Sequence, residues 1–376
     1  MKPIQSIILV FTLCFSIFTM GQTNLANTNA TKETKNLYQN LWEIIHSGFM
    51  FGHQDTLGYG VFWRMEKGRS DVKDTTGDYP AVFGWDIGGV EKDALGSIDI
   101  FTFRDQKKFM EEVYAMGGVN TISWHSDNPK TGKDAWNKEE VIGTVAYILP
   151  GQPGHRKYKK WLDKVANNLL APKGNNGEHV PILFRPFHEM TGGWFWWGKG
   201  NCSPEEFQDL WKFTFNYLTH EKKVNNLIWV YNTADFDSKE EFLSAYPGDE
   251  YVDIISFDIY AMSDVSTDMY FVERTKKQME IMDLIAKQHN KLPALAETGY
   301  EQIPYDKFWT QTLMEAIGGT RISYVLAWRN HGLTHESKMH YYVPYKGHKN
   351  EKDFKDFFKF PQTLFLKDVE PYNIYK

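Results

Sequence analysis

Cysteine is almost missing: the 376 residues hold two, Cys14 and Cys202. Cys14 falls inside an N-terminal apolar run, so a chain processed behind that run keeps only Cys202 and can form no intrachain disulfide. Stability then has to come from a buried core, which a chain of this length can supply. A basic excess is also lacking. Lys and Arg number 42 against 48 Asp and Glu, a net charge of −6. No positive stripe is therefore available to neutralise phosphates, which excludes nucleic acid as a partner. Beyond residue 20 no apolar run is long enough to span a bilayer, which argues against stable membrane insertion. From Lys35 onward there is no Pro/Ser-rich linker, no fixed-period repeat and no low-complexity block, the pattern of one domain. His-Glu-x-x-His, paired cysteines, a Gly-x-Ser-x-Gly elbow and a glycine-rich phosphate or dinucleotide loop are absent too. His331 and His335 alone are a weak metal signal, so neither a metal nor a cofactor is expected.

What the chain does have begins with an export pattern at residues 1–21. Lys2 precedes an apolar stretch from Ile7 to Met20, and Thr19-Met20-Gly21 puts small residues at the outer cleavage positions. This predicts an exported protein, periplasmic or secreted, whose mature chain starts at Gln22. Residues 22–34 are polar and read as a flexible lead-in, and 35–376 as the working domain. Aromatics make up 16% of the chain, with 13 Trp, more than core packing usually calls for.

Eight short apolar runs end in polar or aromatic residues: 48–53, 81–86, 119–125, 181–189, 227–232, 253–260, 292–297 and 322–329. Amphipathic stretches such as Arg104–Met116, Arg156–Leu170 and Val272–Gln288 separate most of them and suit helices. Ser203-Pro204-Glu205-Glu206 is a helix start, with a capping serine, a proline at the first position and a glutamate to close a capping box. Alternation of eight buried strands with helices is the layout of an α/β (β/α)8 TIM barrel in a single domain. A doubly wound open sheet is the competing layout. Residues 55–80 contain only a poor helix and read as a long loop.

In such a barrel the active site lies at the C-terminal ends of the strands. There the sequence gathers His53, Asp86, His125, Glu189, Asn232, Tyr260, Glu297 and Arg329. Glu189 and Glu297 each close an apolar run, after strands four and seven, whose ends face each other across a barrel mouth. Two carboxyl groups about 5–5.5 Å apart are what a retaining glycosidase needs, one as acid/base and one as nucleophile. Glu189 lies between His188 and the run Trp194-Phe195-Trp196-Trp197, and burial against rings would raise its pKa as a proton donor requires. Glu297 must stay ionised and aligned, for which Tyr260 and Arg185 are the candidates. Exposed indoles stack on sugar rings. Trp194 and Trp328 are the expected platforms, while Trp85 and Trp124 also lie near strand ends. A neutral polysaccharide or oligosaccharide is the expected partner, bound by a monomer. The same aromatics would serve a non-catalytic glycan binder, but a binder has no need of both carboxylates.

The segments "RPFHEMTGGWFWWG", "ISFDIY", "LAETG" and "AWRN" resemble glycoside hydrolase family 26, whose members include β-1,4-mannanases, from roughly Phe49 to Asn330. The resemblance implies a (β/α)8 barrel and a retaining mechanism with Glu189 as acid/base and Glu297 as nucleophile. It implies further that His188 and Trp194 line the cleft near the cleavage point, that Tyr260 bonds the nucleophile and that Trp328 stacks under the sugar at the scissile bond. Arg329 and His125 would contact hydroxyls on the non-reducing side, with Arg185 and Asp258 supporting. The expected substrate is mannan, glucomannan or galactomannan, with β-glucan or β-1,3-xylan as the alternative inside the family. The pattern departs at Thr191, where many members carry Asn or Asp.

Overall fold

Each of the eight apolar runs forms a parallel strand in the computed structural model, which describes residues 24–98, 100–136 and 138–376. The expected export segment, 1–21, lies outside the described residues. The strands are β1 (Phe49–Gln54), β2 (Val82–Asp86), β3 (Val119–Trp124), β4 (Ile182–Pro186), β5 (Leu227–Thr233), β6 (Ile254–Ala261), β7 (Leu292–Tyr300) and β8 (Tyr324–Ala327). Each pairs with the next, and β8 returns to β1 through a ladder from Met50–Tyr324 to His53–Ala327. That ladder closes the sheet into a (β/α)8 barrel and removes the two edges an open sheet would leave.

Helix α1 (Lys32–Ile44) precedes the barrel. The strands are followed in turn by α2 (Asp71–Thr76), α3 (Phe103–Met116), α4 (His155–Leu170), α5 (Pro204–Asn216), α6 (Lys239–Leu243), α7 (Tyr270–His289), α8 (Met314–Ile317) and α9 (Glu351–Phe358). α5 starts on the capping box its sequence predicts: Ser203 Oγ accepts from the Glu206 amide at 3.2 Å, and Glu206 Oε2 accepts from the Ser203 amide at 2.9 Å. Residues 55–80, expected as a loop, contain a small hairpin (59–60 with 63–64) and α2, both held by the buried Asp71. Its carboxylate accepts from Val61 N at 2.9 Å and Trp63 Nε1 at 2.8 Å.

Strand alternation sorts the side chains into two cores. Phe83, Trp85, Ile122, Trp124, Phe184, Trp229, Tyr231 and Phe257 pack outward with the helices. Val82, Leu183, Ile228, Val230, Ile254 and Leu292 form an inner cluster with Leu37, Leu41 and Ile44 of α1, which seals the floor of the barrel. The lead-in expected to be flexible is packed from Leu25 on. Leu25 and Ala30 are buried, Ala26 N donates to Asp253 Oδ1 at 2.6 Å, and Thr31 caps α1. A polar composition hid two apolar anchors and a cap, and those are enough to fix the segment.

Candidate active site

Two backbone irregularities aim the carboxylates. By alternation from Leu292 the Glu297 side chain would face outward. In β7, however, Leu295 pairs with Phe257 and Glu297 with Asp258, so Ala296 is an extra residue and Glu297 turns inward beside Asp258. Bulges next to active sites commonly re-aim a side chain in this way. Past the end of β4, Phe187 and Glu189 have φ of 51° and 55°. For a residue with a Cβ this left-handed conformation costs roughly 1–2 kcal/mol, and the two strained residues flank His188.

Around Glu297 the barrel supplies donors. Arg185 Nη2 donates to Glu297 Oε1, its Nη1 donates to Asp258 Oδ2 at 2.7 Å, and Tyr260 Oη donates to Glu297 Oε2 at 2.7 Å. Arg185, Asp258 and Glu297 are all buried. Burial pushes the Asp258 carboxyl well above the ordinary aspartate value, with Arg185 opposing the shift. Burial also weakens the charge on Arg185, but Asp258 and Glu297 more than restore it.

Glu189 sits half-buried at the lip. Trp194 Nε1 donates to its Oε2 at 2.6 Å, and its own amide donates to Asn232 Oδ1 at 2.7 Å. Burial first, and the Glu297 charge second, raise its pKa to about 7. One oxygen each from Glu189, Asp258 and Glu297 lie within 4.8 Å of one another. Such a trio could take a cation, but the Arg185 guanidinium stands between Asp258 and Glu297 and supplies positive charge there.

His125 and His188 form a pair beside Glu189. His125 Nδ1 bonds Asp86 Oδ2 at 2.8 Å, and its Nε2 lies 3.1 Å from His188 Nε2. Burial presses His125 towards neutrality, but the Asp86 carboxylate overrides it and lifts its pKa above the usual histidine value. Burial and the His125 charge push His188 well below that value.

The four aromatics after Glu189 divide. Trp194 is 39% exposed, whereas Phe195, Trp196 and Trp197 are buried. Phe195 stacks on Trp197 at 4.5 Å and 19°, and Trp197 Nε1 donates to the His188 carbonyl at 2.8 Å, so these rings wall the histidine from behind. Trp328 is half-buried with the Arg329 guanidinium 5.9 Å from its ring. Trp85 and Trp124, near strand ends, are core residues. Each precedes an inward-facing residue, Asp86 or His125, and so points to the helices, where Trp85 meets Asn120 and Trp124 meets Glu91. Thr191 Oγ1 donates to the Asp235 carbonyl at 3.1 Å, tying the Glu189 loop to the loop after β5. Sequence reasoning missed Trp136, 45% exposed and stacked on His125 at 4.7 Å and 22°, because no periodic pattern marks its loop. It also missed Asp86 as the partner of His125.

The profile described as glycosyl hydrolase family 26 matches residues 26–331. A mannan endo-1,4-β-mannosidase of Bifidobacterium adolescentis is 30% identical over 357 residues, covering 90% of this chain and 35% of the relative. Mannan endo-1,4-β-mannosidase A and B of Caldalkalibacillus mannanilyticus is 29% identical over 359 residues, covering 89% of this chain and 64% of the relative. The chain thus spans about a third of the first relative and under two-thirds of the second. A solved family 26 β-mannanase from Bacteroides ovatus superposes with a TM-score of 0.86 at 40% identity, covering 92% of this chain and 98% of that one.

Proposed function

The chain belongs to glycosyl hydrolase family 26, and from that premise we propose that it is a retaining hydrolase of β-1,4-mannosidic bonds in mannan, glucomannan or galactomannan. The observation that carries the reading is the pair of glutamates, Glu189 and Glu297, with oxygens within 4.8 Å and unequal surroundings. Retaining enzymes hold their carboxyls about 5–5.5 Å apart and inverting ones about 6.5–9.5 Å, to admit a water. Glu297, gripped by Arg185 and Tyr260, attacks the anomeric carbon. Glu189, with its pKa near 7, gives its proton to the leaving oxygen as the glycosidic bond breaks. In the second step Glu189 takes a proton from water, which displaces Glu297 and releases the sugar with its original configuration.

Trp194 and Trp328 offer the ring faces on which a pyranose stacks, with Trp136 and His125 continuing the surface. His188 lines the cleft beside the acid, and Arg329 and His125 contact hydroxyls on the non-reducing side. Mannan as the substrate is supported by the relatives named above. A polymer is met outside the cell, which fits the export pattern at residues 1–21, and a monomer suffices because one chain carries every residue invoked.

Proton NMR of fresh product on manno-oligosaccharides is expected to show the β-anomer first, and an initial α-anomer would refute retention. Time-resolved product profiles on linear mannan, galactomannan, lichenan and β-1,3-xylan should favour the two mannans. Preference for lichenan or xylan would overturn the substrate.

A further inference from the structure

Asn232 uses its side-chain oxygen and both of its amide hydrogens, and its partners lead from one carboxylate to the other. It is fully buried at the end of β5. Its Oδ1 accepts from the Glu189 amide at 2.7 Å, and its Nδ2 donates to Ser256 Oγ at 2.9 Å and to Asp258 Oδ1 at 2.8 Å. Asp258 receives Arg185 Nη1 at 2.7 Å, and Arg185 stands four residues before Glu189 on β4. The path therefore runs from Glu189 across β5 and β6 and back to the strand it left. The nucleophile hangs from this ring through Arg185 Nη2.

We propose that Asn232 is the positioning residue for the proton donor: it pins the strained Glu189 backbone to the frame that holds the nucleophile, and so sets the gap between the two carboxyl groups. Two arguments support this. Glu189 sits at φ 55°, a conformation a glutamate leaves readily unless something holds it, and the amide bonded to Asn232 belongs to that residue. The chemistry also demands an acceptor at this point. The Glu189 N–H can only donate, so the group facing it must offer a lone pair, as Asn232 Oδ1 does. Leucine offers none, whereas aspartate keeps the acceptor and can share a proton with Asp258, whose carboxyl burial pushes well above the ordinary aspartate value. The nucleophile keeps Tyr260 and Arg185 without Asn232, whereas the donor's backbone loses this anchor, so the effect falls on proton donation. A misplacement of about 1 Å at a reacting group can cost on the order of 10²-fold.

The inference rests on Glu189 being the proton donor, and the test separates the two claims. Asn232→Ala, Asn232→Asp and Glu189→Gln are assayed for kcat/KM on mannotetraose, whose leaving oxygen needs a proton. They are then assayed on dinitrophenyl β-mannobioside, whose leaving group does not. Asn232→Ala is expected to lose about 10²-fold on the first and under about fivefold on the second, the pattern of a lost acid. Asn232→Asp, nearly the same shape and still an acceptor for the Glu189 amide, is expected to recover most of the loss. Equal losses on both substrates, which general loosening would produce, overturn the proposal. So does no loss, or an Asn232→Asp variant no better than Asn232→Ala. If Glu189→Gln shows the split and Asn232→Ala does not, Asn232 fails alone. If Glu189→Gln shows no split, the proton-donor reading itself falls.

Discussion

The floor and the mouth of the barrel are built from the same strands and have opposite character. At the floor the interior carries Leu183, Ile228, Ile254 and Leu292, closed by Leu37, Leu41 and Ile44 of α1. Two to five residues further along the same strands stand Arg185, Asn232, Asp258 and Glu297. The floor gains its stability from area removed from water. The mouth gathers groups that burial penalises, two of them carboxyls with raised pKa values. A groove of about 900 Å³ opens on the floor side, lined by Tyr114, Lys173, Asn175, Glu178 and Tyr375, yet the convergent buried charges are at the other end. The barrel thus separates what holds it together from what it does, and that separation can be attacked from both sides.

The largest effect is expected at the mouth. Glu297→Gln should lower turnover on manno-oligosaccharides by 10⁴-fold or more, on the order seen when a covalent nucleophile is removed. Sugar binding, followed by calorimetry, should largely persist. The melting temperature should hold or rise, because Glu189 and Asp258 lose a like charge while Arg185 keeps Asp258. Unchanged hydrolysis would sink the mechanism, and a collapse in melting temperature would break the separation. The reverse experiment is Leu41→Ala, at a residue of α1 that is 1% exposed. It should cost about 2–5 kcal/mol in urea denaturation and leave kcat/KM at 25 °C within about twofold. A rate loss comparable to its stability loss would show that floor and mouth are coupled.

How much of this was legible in the sequence follows the same division. Parallel strands covered on both faces read as apolar runs, so all eight were visible, and a polar residue closing such a run drew attention to Glu189 and Glu297. Parity alone tells Trp124 from His125 and Trp85 from Asp86, since neighbours face opposite ways. Their place near strand ends left their direction open until that parity was applied. The β7 bulge was not legible, because simple alternation turns Glu297 outward and only its pairing with β6 reveals the extra Ala296. Asn232 was visible as a strand-end polar group, but its bonds to Glu189 and Asp258 exist only once β4, β5 and β6 lie side by side. Trp136 sits in a loop, where no period reports on position.

The smallest expected effect sharpens the comparison most. Trp194→Phe keeps an aromatic face for the sugar and removes one hydrogen bond, Nε1 to Glu189 Oε2 at 2.6 Å. That bond favours the ionised carboxylate, so without it the Glu189 pKa climbs further above about 7. The donor must carry its proton to act, so activity falls as pH rises through that pKa. The alkaline limb of kcat/KM on mannotetraose should therefore move to higher pH, with the rate at the optimum within about fivefold of the parent. Leu41→Ala should leave that limb in place, since α1 does not touch Glu189. If the alkaline limb shifts downward in Trp194→Phe, or shifts equally in Leu41→Ala, the titration belongs to the molecule as a whole and not to the lip of the mouth.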